Sequence, residues 1–179
     1  MLKKILQKIY SFFYSLINKE RSINDYHIHP SAFLYHKRNI KLHNSSLICE
    51  YCIVRAPLAV LEIEENSQIG PHCVILTGQY GIKVGKNVMI APHCVLAAGN
   101  HEFRNLDLPM RFSGDFSNGP IIIEDDVWIG ANCTITDNVK IGHGSIIGAN
   151  SLVNTDIEPF SIAGGIPCKV LSSRLKYKK

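Results

Sequence analysis

The sequence predicts an all-β protein in which short strands wind into a parallel β-helix around one core. From Ile123 to Val153 an aliphatic residue returns every six positions, with glycine often second and a small or β-branched residue fifth. This period fits neither an α-helix nor an isolated strand and is typical of hexapeptide repeats. The same period is found upstream, from Ile63 to Leu96. Since one coil cannot bury its own aliphatic face, we expect the coils to stack and close a core.

Residues 1–21 precede the repeats and predict an amphipathic α-helix, with apolar side chains at helical spacing and lysines largely opposite them. Two interpretations stay open. A basic helix with an aromatic apolar face suits peripheral contact with an anionic membrane. The same helix is equally suited to cap the open end of the coil and protect its edge strands. The apolar positions are Leu2, Ile5, Leu6, Ile9, Phe12, Phe13, Leu16 and Ile17.

The repeats predict one coil domain, residues 22–170, with two interruptions. The first, residues 76–83, is a slightly long corner. The second, residues 101–119, is far too long for a corner, and we call it the excursion. Because a long loop in a compact repeat fold is usually functional, we expect the excursion to carry the chemistry. Residues 171–179 follow as a basic C-terminal tail.

Composition and charge favour a soluble, single-domain protein. Of the 179 residues 46% are hydrophobic, and no apolar run is long enough to cross a bilayer. No cleavable signal is expected, because lysines interrupt the N-terminal apolar residues. We therefore expect a cytoplasmic protein, held at the inner face of the membrane if residues 1–21 bind lipid. Both ends are basic while the whole chain carries only +4, which argues against a general nucleic-acid surface.

Six cysteines raise the alternatives of disulfides, zinc or packing. Four of them occupy the fifth, inward slot of their hexapeptides, which favours a ladder of small apolar side chains inside the coil. The single Cys49-x-x-Cys52 pair lacks the second pair of a zinc site. We therefore expect reduced thiols and no metal. The four inward cysteines are Cys52, Cys73, Cys94 and Cys133.

Three motifs follow one another in the second half of the chain: GNHEF at residues 99–103, VWIGA at 127–131 and AGGIPCKV at 163–170. In this combination the chain closely resembles the hexapeptide-repeat acetyltransferases, and most closely the sugar O-acetyltransferases of the maltose, galactoside and surface-polysaccharide branch. The resemblance implies a left-handed parallel β-helix, which departs from the usual right-handed crossover. It also implies a homotrimer with active sites between neighbouring subunits.

The resemblance places the catalytic histidine at His101, where the excursion begins. Acetyl transfer from a thioester to a sugar hydroxyl needs a base that takes the hydroxyl proton, and imidazole suits that role near neutral pH. Backbone N–H groups at the corners are the expected oxyanion donors, and we expect direct transfer without an acyl-cysteine. The group that orients the imidazole stays open among four candidates: Glu102, Asp115, Glu124 and a backbone carbonyl.

The same resemblance implies that acetyl-CoA is the acyl donor and that no metal is required. Backbone groups at Ala131 and Ala149 would contact the pantetheine arm, while Lys169 and Arg174 would meet the phosphates. Trp128 would either pack near the reacting end of the donor or fill space under the excursion. Asn150 and the pair Asn154-Thr155 replace residues usual in relatives, so a longer acyl group is an alternative. The acceptor side is expected at Asn100, Arg104, Asp107 and Arg111.

The predicted function is therefore O-acetylation of a saccharide hydroxyl, in the biosynthesis of a surface polysaccharide such as capsule, O-antigen or exopolysaccharide. Two alternatives stay open. The nearer one is N-acetylation of an amino sugar on a nucleotide, with the same fold and donor. The farther one is a metal-binding protein of the carbonic-anhydrase-like branch, because His72 and His93 fall one coil apart at the same repeat position and could stack on one face.

Overall fold

The structure, a computed structural model, describes residues 27–178 and shows a parallel coil of three sheets around one core. The helix expected in residues 1–21 lies outside the described residues. The first sheet, sheet 1, has the strands β1 (Phe33–Tyr35), β4 (Ile53–Arg55), β7 (Val74–Leu76), β10 (Val95–Ala97), β15 (Thr134–Thr136) and β18 (Leu152–Val153).

Two more sheets complete the prism. Sheet 2 has the strands β2 (Ile40–Leu42), β5 (Leu61–Ile63), β8 (Ile82–Val84), β13 (Ile121–Ile123) and β16 (Val139–Ile141). Sheet 3 has β3 (Leu47–Ile48), β6 (Gln68–Ile69), β9 (Met89–Ile90), β14 (Trp128–Ile129), β17 (Ile146–Ile147), β19 (Ser161–Gly164) and β20 (Lys169–Ser173). The architecture agrees with the left-handed β-helix that the resemblance implies. In the described part of the chain, no helix has the length and apolarity to span a bilayer.

Each coil runs from sheet 3 to sheet 1 to sheet 2, so three kinds of corner stack along the prism. Corner A joins sheet 3 to sheet 1, as at residues 91–94, 130–133 and 148–151. Corner B joins sheet 1 to sheet 2, as at residues 56–60, 77–81, 98–120 and 137–138. Corner C joins sheet 2 to sheet 3, as at residues 124–127 and 142–145. The excursion therefore belongs to corner B.

The first and fifth positions of the hexapeptides point inward, as the periodicity predicts. From Ile63 to Val153 the aliphatic residues in the first position, such as Ile129 and Ile147, are at most 2% exposed, and burying each side chain contributes roughly 1.5–3 kcal/mol. Ile129 pairs with Ile147, three hexapeptides later in the chain. Upstream, Ile48 pairs with Ile69 and Ile69 pairs with Ile90, so these coils are three residues longer than the coil from Ile129 to Ile147. The longer corner B of the upstream coils explains why the period weakens there.

The inward cysteines form the predicted ladder. Each thiol donates to a carbonyl of the next coil: Cys52 to Gly70 at 3.1 Å, Cys73 to Ala91 at 3.3 Å, Cys94 to Gly130 at 3.2 Å and Cys133 to Gly148 at 3.1 Å. All four thiols are fully buried, and the six cysteines of the chain are free and buried. The ladder satisfies both the thiols and the corner carbonyls inside the core.

We expect these thiols to be inert in the native protein. All six cysteines are buried, and burial is the main reason that the pKa of the Cys49 and Cys168 thiols is raised. Because a reagent cannot reach buried thiols unless the coil opens, labelling by an aromatic disulfide reagent at pH 8 should be more than about tenfold slower than that of free cysteine. All six thiols should react in denaturant, and fast labelling of the native protein would contradict the buried ladder.

At corner A, His72 and His93 stack as the repeat position predicts. Their ring centroids are 4.9 Å apart with an interplanar angle of 9°, and Tyr51 extends the stack at 5.0 Å from His72. All three residues have positive φ angles, which fit the tight turn at this corner. Within residues 27–178 no group of three or more histidine, cysteine or acidic side chains is placed to hold a metal ion.

The C-terminal end of the coil departs from the predicted tail. Strand β20 turns back and pairs antiparallel with β19, and Arg174–Tyr177 form a 3-10 helix. Residues 171–173 are therefore part of sheet 3, so the regular structure extends past the boundary predicted at residue 170. The side chain of Ser173 caps the short helix by accepting from the N–H of Leu175.

Candidate active site

The excursion contains an antiparallel strand pair that places His101 opposite Asp115. These residues belong to β11 (Asn100–His101) and β12 (Asp115–Phe116), which form a small separate sheet. An oxygen of the Asp115 carboxylate lies 3.4 Å from Nδ1 of His101, and both side chains are about two-thirds or more exposed. Of the carboxylates considered as orienting groups, Asp115 is the one beside the imidazole.

The two other acidic candidates are engaged elsewhere. Glu102 pairs with Arg104, whose hydrogen bonds lower the pKa of the Glu102 carboxyl to about 2. Glu124 lies 2.7 Å from the ammonium of Lys140 and accepts from the N–H of His143. The hydrogen bond from Lys140 is the main reason that the pKa of Glu124 is lowered. Both carboxylates are therefore held charged and away from His101.

Three residues expected on the acceptor side, Arg104, Asp107 and Arg111, lie in different parts of the excursion. The Arg104 guanidinium is bound to Glu102 and lies over the Phe116 ring, 4.3 Å from its centroid. It therefore braces the two strands of the excursion. Asp107 and Arg111 are exposed on the outer part of the excursion, with Arg111 in the 3-10 turn Met110–Phe112. Neither lines the cavity described next.

His101 lies at a cavity of about 330 Å³ on corner B. Adjacent coils stack closely at two glycines of its lining, because a Cβ at Gly78 would overlap the Ala98 carbonyl and one at Gly99 would lie 3.1 Å from Gly78. Such a volume suits a small ligand or one sugar unit of a larger one. The lining residues are Arg55, Pro57, Leu58, Leu76, Thr77, Gly78, Gln79, Gly99, Asn100, His101, Asp115 and Phe116.

A buried carboxylate on the next coil ties both ends of the excursion to the prism. Asp137 accepts from the Asn100 side chain at 2.8 Å, from the N–H of Asn118 at 2.5 Å and from the Asn118 side chain at 3.0 Å. The Ser117 hydroxyl lies 3.5 Å away. Gln79 holds the far strand by donating to the carbonyl of Asp115 at 3.2 Å. Asn100, predicted to bind substrate, thus lines the cavity while its amide anchors the strand of His101.

Three of the expected donor contacts share corner A. Ala131 and Ala149 stack in adjacent coils, where the N–H of Asn150 donates to the carbonyl of Ala131 at 2.9 Å. A Cβ at Gly130 would lie 2.6 Å from the nitrogen of Ala149, so these coils need glycine to stack closely. Lys169 begins β20 opposite Gly164, at the same corner, and its side chain is exposed.

Two other residues expected at the donor lie elsewhere. Arg174 is at corner C, where its guanidinium lies 2.9 Å from the Asp126 carboxylate and donates to the Gly144 carbonyl at 2.7 Å. Trp128 lies on the outer face of sheet 3, 48% exposed, with Met89 and Ile146 as its neighbours in the sheet. It is not among the cavity-lining residues of its own chain.

Within one chain, sheet 1 separates the histidine at corner B from the expected donor contacts at corner A. Sequence reasoning missed Asp137, Arg55 and Gln79, which lie on coils other than that of His101. No local signal in the sequence marks Asp137 or Arg55. Gln79 stands in the long corner at residues 76–83, and the position of this corner, one coil before the excursion, could have indicated it.

Two family models match the repeats. Residues 120–155 match the bacterial transferase hexapeptide (six repeats), and residues 60–92 match the hexapeptide repeat of succinyl-transferase. Galactoside O-acetyltransferase of Escherichia coli (strain K12) is 44% identical over 62 residues, 35% of this chain and 30% of that protein. Chloramphenicol acetyltransferase of Klebsiella aerogenes is 46% identical over 56 residues, 31% of this chain and 27% of that protein. The alignments thus span less than a third of these relatives' length.

Solved structures extend the similarity over more of the chain. A variant of AntD, an N-acyltransferase from Bacillus cereus in complex with dTDP-4-amino-4,6-dideoxyglucose and coenzyme A, is 25% identical with a TM-score of 0.71 and covers 82% of this chain and 79% of that one. A hexapeptide-repeat acetyltransferase from Vibrio cholerae O1 biovar eltor, complexed with acetyl coenzyme A, is 36% identical with a TM-score of 0.57 and covers 63% of this chain and 60% of that one. The chain contains hexapeptide repeats, and its resemblance to the hexapeptide-repeat acetyltransferases is confirmed.

Proposed function

We propose that the protein is an acetyl-CoA-dependent O-acetyltransferase that acts on a saccharide hydroxyl in surface polysaccharide biosynthesis. The observation that carries the proposal is His101, an accessible imidazole at the edge of a cavity with a carboxylate beside its Nδ1. The similarity to galactoside O-acetyltransferase supports a sugar hydroxyl as the acceptor. The free cysteines support a cytoplasmic location, and binding of residues 1–21 to lipid would place the protein at the inner face of the membrane.

His101 serves as the general base in this proposal. With Asp115 on the Nδ1 side, the Nε2 atom is free to take the proton of the acceptor hydroxyl. The hydroxyl oxygen then attacks the thioester carbonyl, and a C–O bond forms as the C–S bond breaks. The imidazolium returns the proton to the departing thiolate, so the enzyme ends in its starting protonation state. Backbone N–H groups stabilise the oxyanion of the tetrahedral intermediate.

The donor lies along corner A in this proposal, with its pantetheine arm at Ala131 and Ala149 and its phosphates near Lys169. The Vibrio cholerae relative complexed with acetyl coenzyme A supports acetyl-CoA as the donor. A longer acyl group is a second candidate, because Asn150 and the pair Asn154-Thr155 replace residues usual in relatives. Comparing kcat/KM for acetyl-CoA and 3-hydroxybutyryl-CoA decides between them.

A homotrimer is part of the proposal, because one chain keeps the base and the donor contacts on different corners. A site between neighbouring subunits would join corner B of one to corner A of the next. Mixing His101→Ala subunits with Ala149→Tyr subunits should then restore activity that neither variant has alone. The control is the double variant, His101→Ala with Ala149→Tyr in one chain. Taken through the same mixing procedure, it should stay inactive. Failure of complementation in proven mixed trimers would contradict a shared site.

N-acylation of an amino sugar on a nucleotide is the second candidate function. It is favoured by the fold match to AntD, whose structure holds a dTDP-linked amino sugar. The test is release of free coenzyme A thiol from acetyl-CoA with paired acceptors that differ only in a hydroxyl or an amine. Chloramphenicol is added as a hydroxyl acceptor that is not a sugar. Turnover of amines alone would replace the proposed function with this one.

A further inference from the structure

We propose that Arg55 binds an anionic group of the acceptor, so that the substrate is a saccharide carrying a phosphate or a carboxylate. This inference rests on the proposed function, because it takes the cavity beside His101 as the acceptor site. Arg55 ends strand β4 and lines that cavity together with His101. Its side chain is exposed, and in the described part of the chain it is the sole lysine or arginine that lines the cavity.

Among residues 27–178 no carboxylate forms an ion pair with the guanidinium of Arg55. Among the described residues the ion pairs do not include Arg55, and its recorded contact is the ring of Tyr35, 5.1 Å from the guanidinium carbon to the centroid. The acidic side chain that lines the cavity, Asp115, faces His101 instead. The cavity therefore offers one unpaired positive charge.

The position of Arg55 fits a ligand whose hydroxyl is at His101. Arg55, Leu76 and Ala97 are partners on successive strands of sheet 1, and the excursion follows directly after the strand of Ala97. Two strand spacings place Arg55 about 10 Å along the prism from the coil that carries His101. A pyranose ring with an acidic substituent spans a comparable length.

The chemistry of arginine narrows the ligand further. Its planar fork donates two parallel hydrogen bonds to the paired oxygens of a phosphate or carboxylate, whereas a neutral sugar offers neither those paired oxygens nor the opposite charge. The Tyr35 ring beside the guanidinium supports this plane. Leu58 and Phe116 supply apolar contact at the cavity wall. The cavity thus combines a base, an apolar wall and an anion site in the order that an acidic saccharide requires.

The test compares Arg55→Gln with the wild type on acceptors matched in the sugar ring: a neutral hexose, its 1-phosphate, its nucleotide diphosphate and the corresponding uronic acid. We expect KM for the preferred anionic acceptor to rise about 10- to 100-fold, with KM for acetyl-CoA and turnover of the neutral hexose unchanged. Arg55→Lys should recover part of the loss. Lys83→Gln, an exposed cation on sheet 2 paired with Glu64, is the matched control and should have no effect.

The acceptors separate the two sources of negative charge, since a phosphate site favours the 1-phosphate or nucleotide and a carboxylate site favours the uronic acid. The inference would be overturned if the wild type had equal KM values for neutral and anionic acceptors, or if Arg55→Gln kept the preference for anionic acceptors. The proposed function would stand in either case. If no acceptor is turned over, isothermal titration calorimetry measures the binding of the hexose 1-phosphate, the nucleotide sugar and the uronic acid to the wild type and to Arg55→Gln. If the protein is inactive but Arg55→Gln binds an anionic saccharide more weakly than the wild type, the proposed acetyl transfer is rejected and the anion site stands. If Arg55→Gln binds all three ligands as the wild type does, the inference is rejected.

Discussion

Replacing His101 with alanine is expected to lower kcat for acetyl transfer by about 10²–10⁴-fold, because no other imidazole lines the cavity to take the hydroxyl proton. The fold should not change, since the His101 side chain is 73% exposed and buries little apolar surface. KM for acetyl-CoA should also stay close to the wild-type value, because the expected donor contacts lie at corner A. Steady-state thiol release measures both constants, and thermal unfolding checks the fold.

Two further variants make this result specific. His43→Ala removes another exposed imidazole, which is hydrogen-bonded to Ser45 at 2.9 Å and lies at corner C, and should leave kcat unchanged. Asp115→Asn keeps the shape of the orienting group but removes its charge, and we expect a smaller loss than for His101→Ala. Full activity in His101→Ala would reject the proposed base. A loss as large in His43→Ala would indicate a general effect on folding.

The outward and inward positions of the coil could be predicted because strand side chains alternate between two faces. The recurrence of each hexapeptide position from coil to coil predicted that the cysteines lie in the core and that His72 and His93 can stack on one face. Handedness required the family resemblance, because the period is the same for either hand. The helix expected in residues 1–21 and the oligomeric state stay predictions.

The site was predicted less completely, because its contacts join residues that are distant in sequence. His101 followed from its motif, but its partner was left among four candidates until the β11–β12 pairing placed Asp115 opposite it. Arg104 was expected to bind substrate, and in the structure its guanidinium donates to Glu102, two residues away. Its contact with substrate stays a prediction. Arg174 was expected at the phosphates, and the antiparallel return of β20 places it at corner C, beside Asp126. Its contact with the phosphates stays a prediction.

Asp137 is the clearest case of a contact that the sequence conceals, and it gives the second prediction. Its carboxylate accepts hydrogen bonds from Asn100 and Asn118, at the two ends of the segment that holds His101 opposite Asp115. Asp137→Ala would leave these donors without an acceptor. Hydrogen bonds to a charged group contribute roughly 1.5–3 kcal/mol each and are not additive. We expect a loss of about 1–3 kcal/mol in unfolding free energy, measured by urea denaturation.

Activity should fall further than stability alone explains, because the strand that carries His101 loses its anchor. We expect kcat/KM for the acceptor to decrease about 10- to 100-fold, while KM for acetyl-CoA stays constant. Trypsin should also cleave after Arg104 and Arg111 more rapidly than in the wild type, because the loosened excursion opens more often. Mass spectrometry of the fragments identifies the cleaved bonds.

Asp156→Ala is the matched control for this prediction. Asp156 lies at corner B one coil further on, and its carboxylate accepts from the N–H of Lys140 at 2.8 Å without contact to the excursion. Its removal should cost stability but leave acceptor kinetics and trypsin cleavage after Arg104 and Arg111 as in the wild type. If Asp137→Ala behaves like Asp156→Ala in both assays, Asp137 contributes only to the coil. A selective loss in Asp137→Ala would instead show that a buried charge on the next coil sets the position of His101.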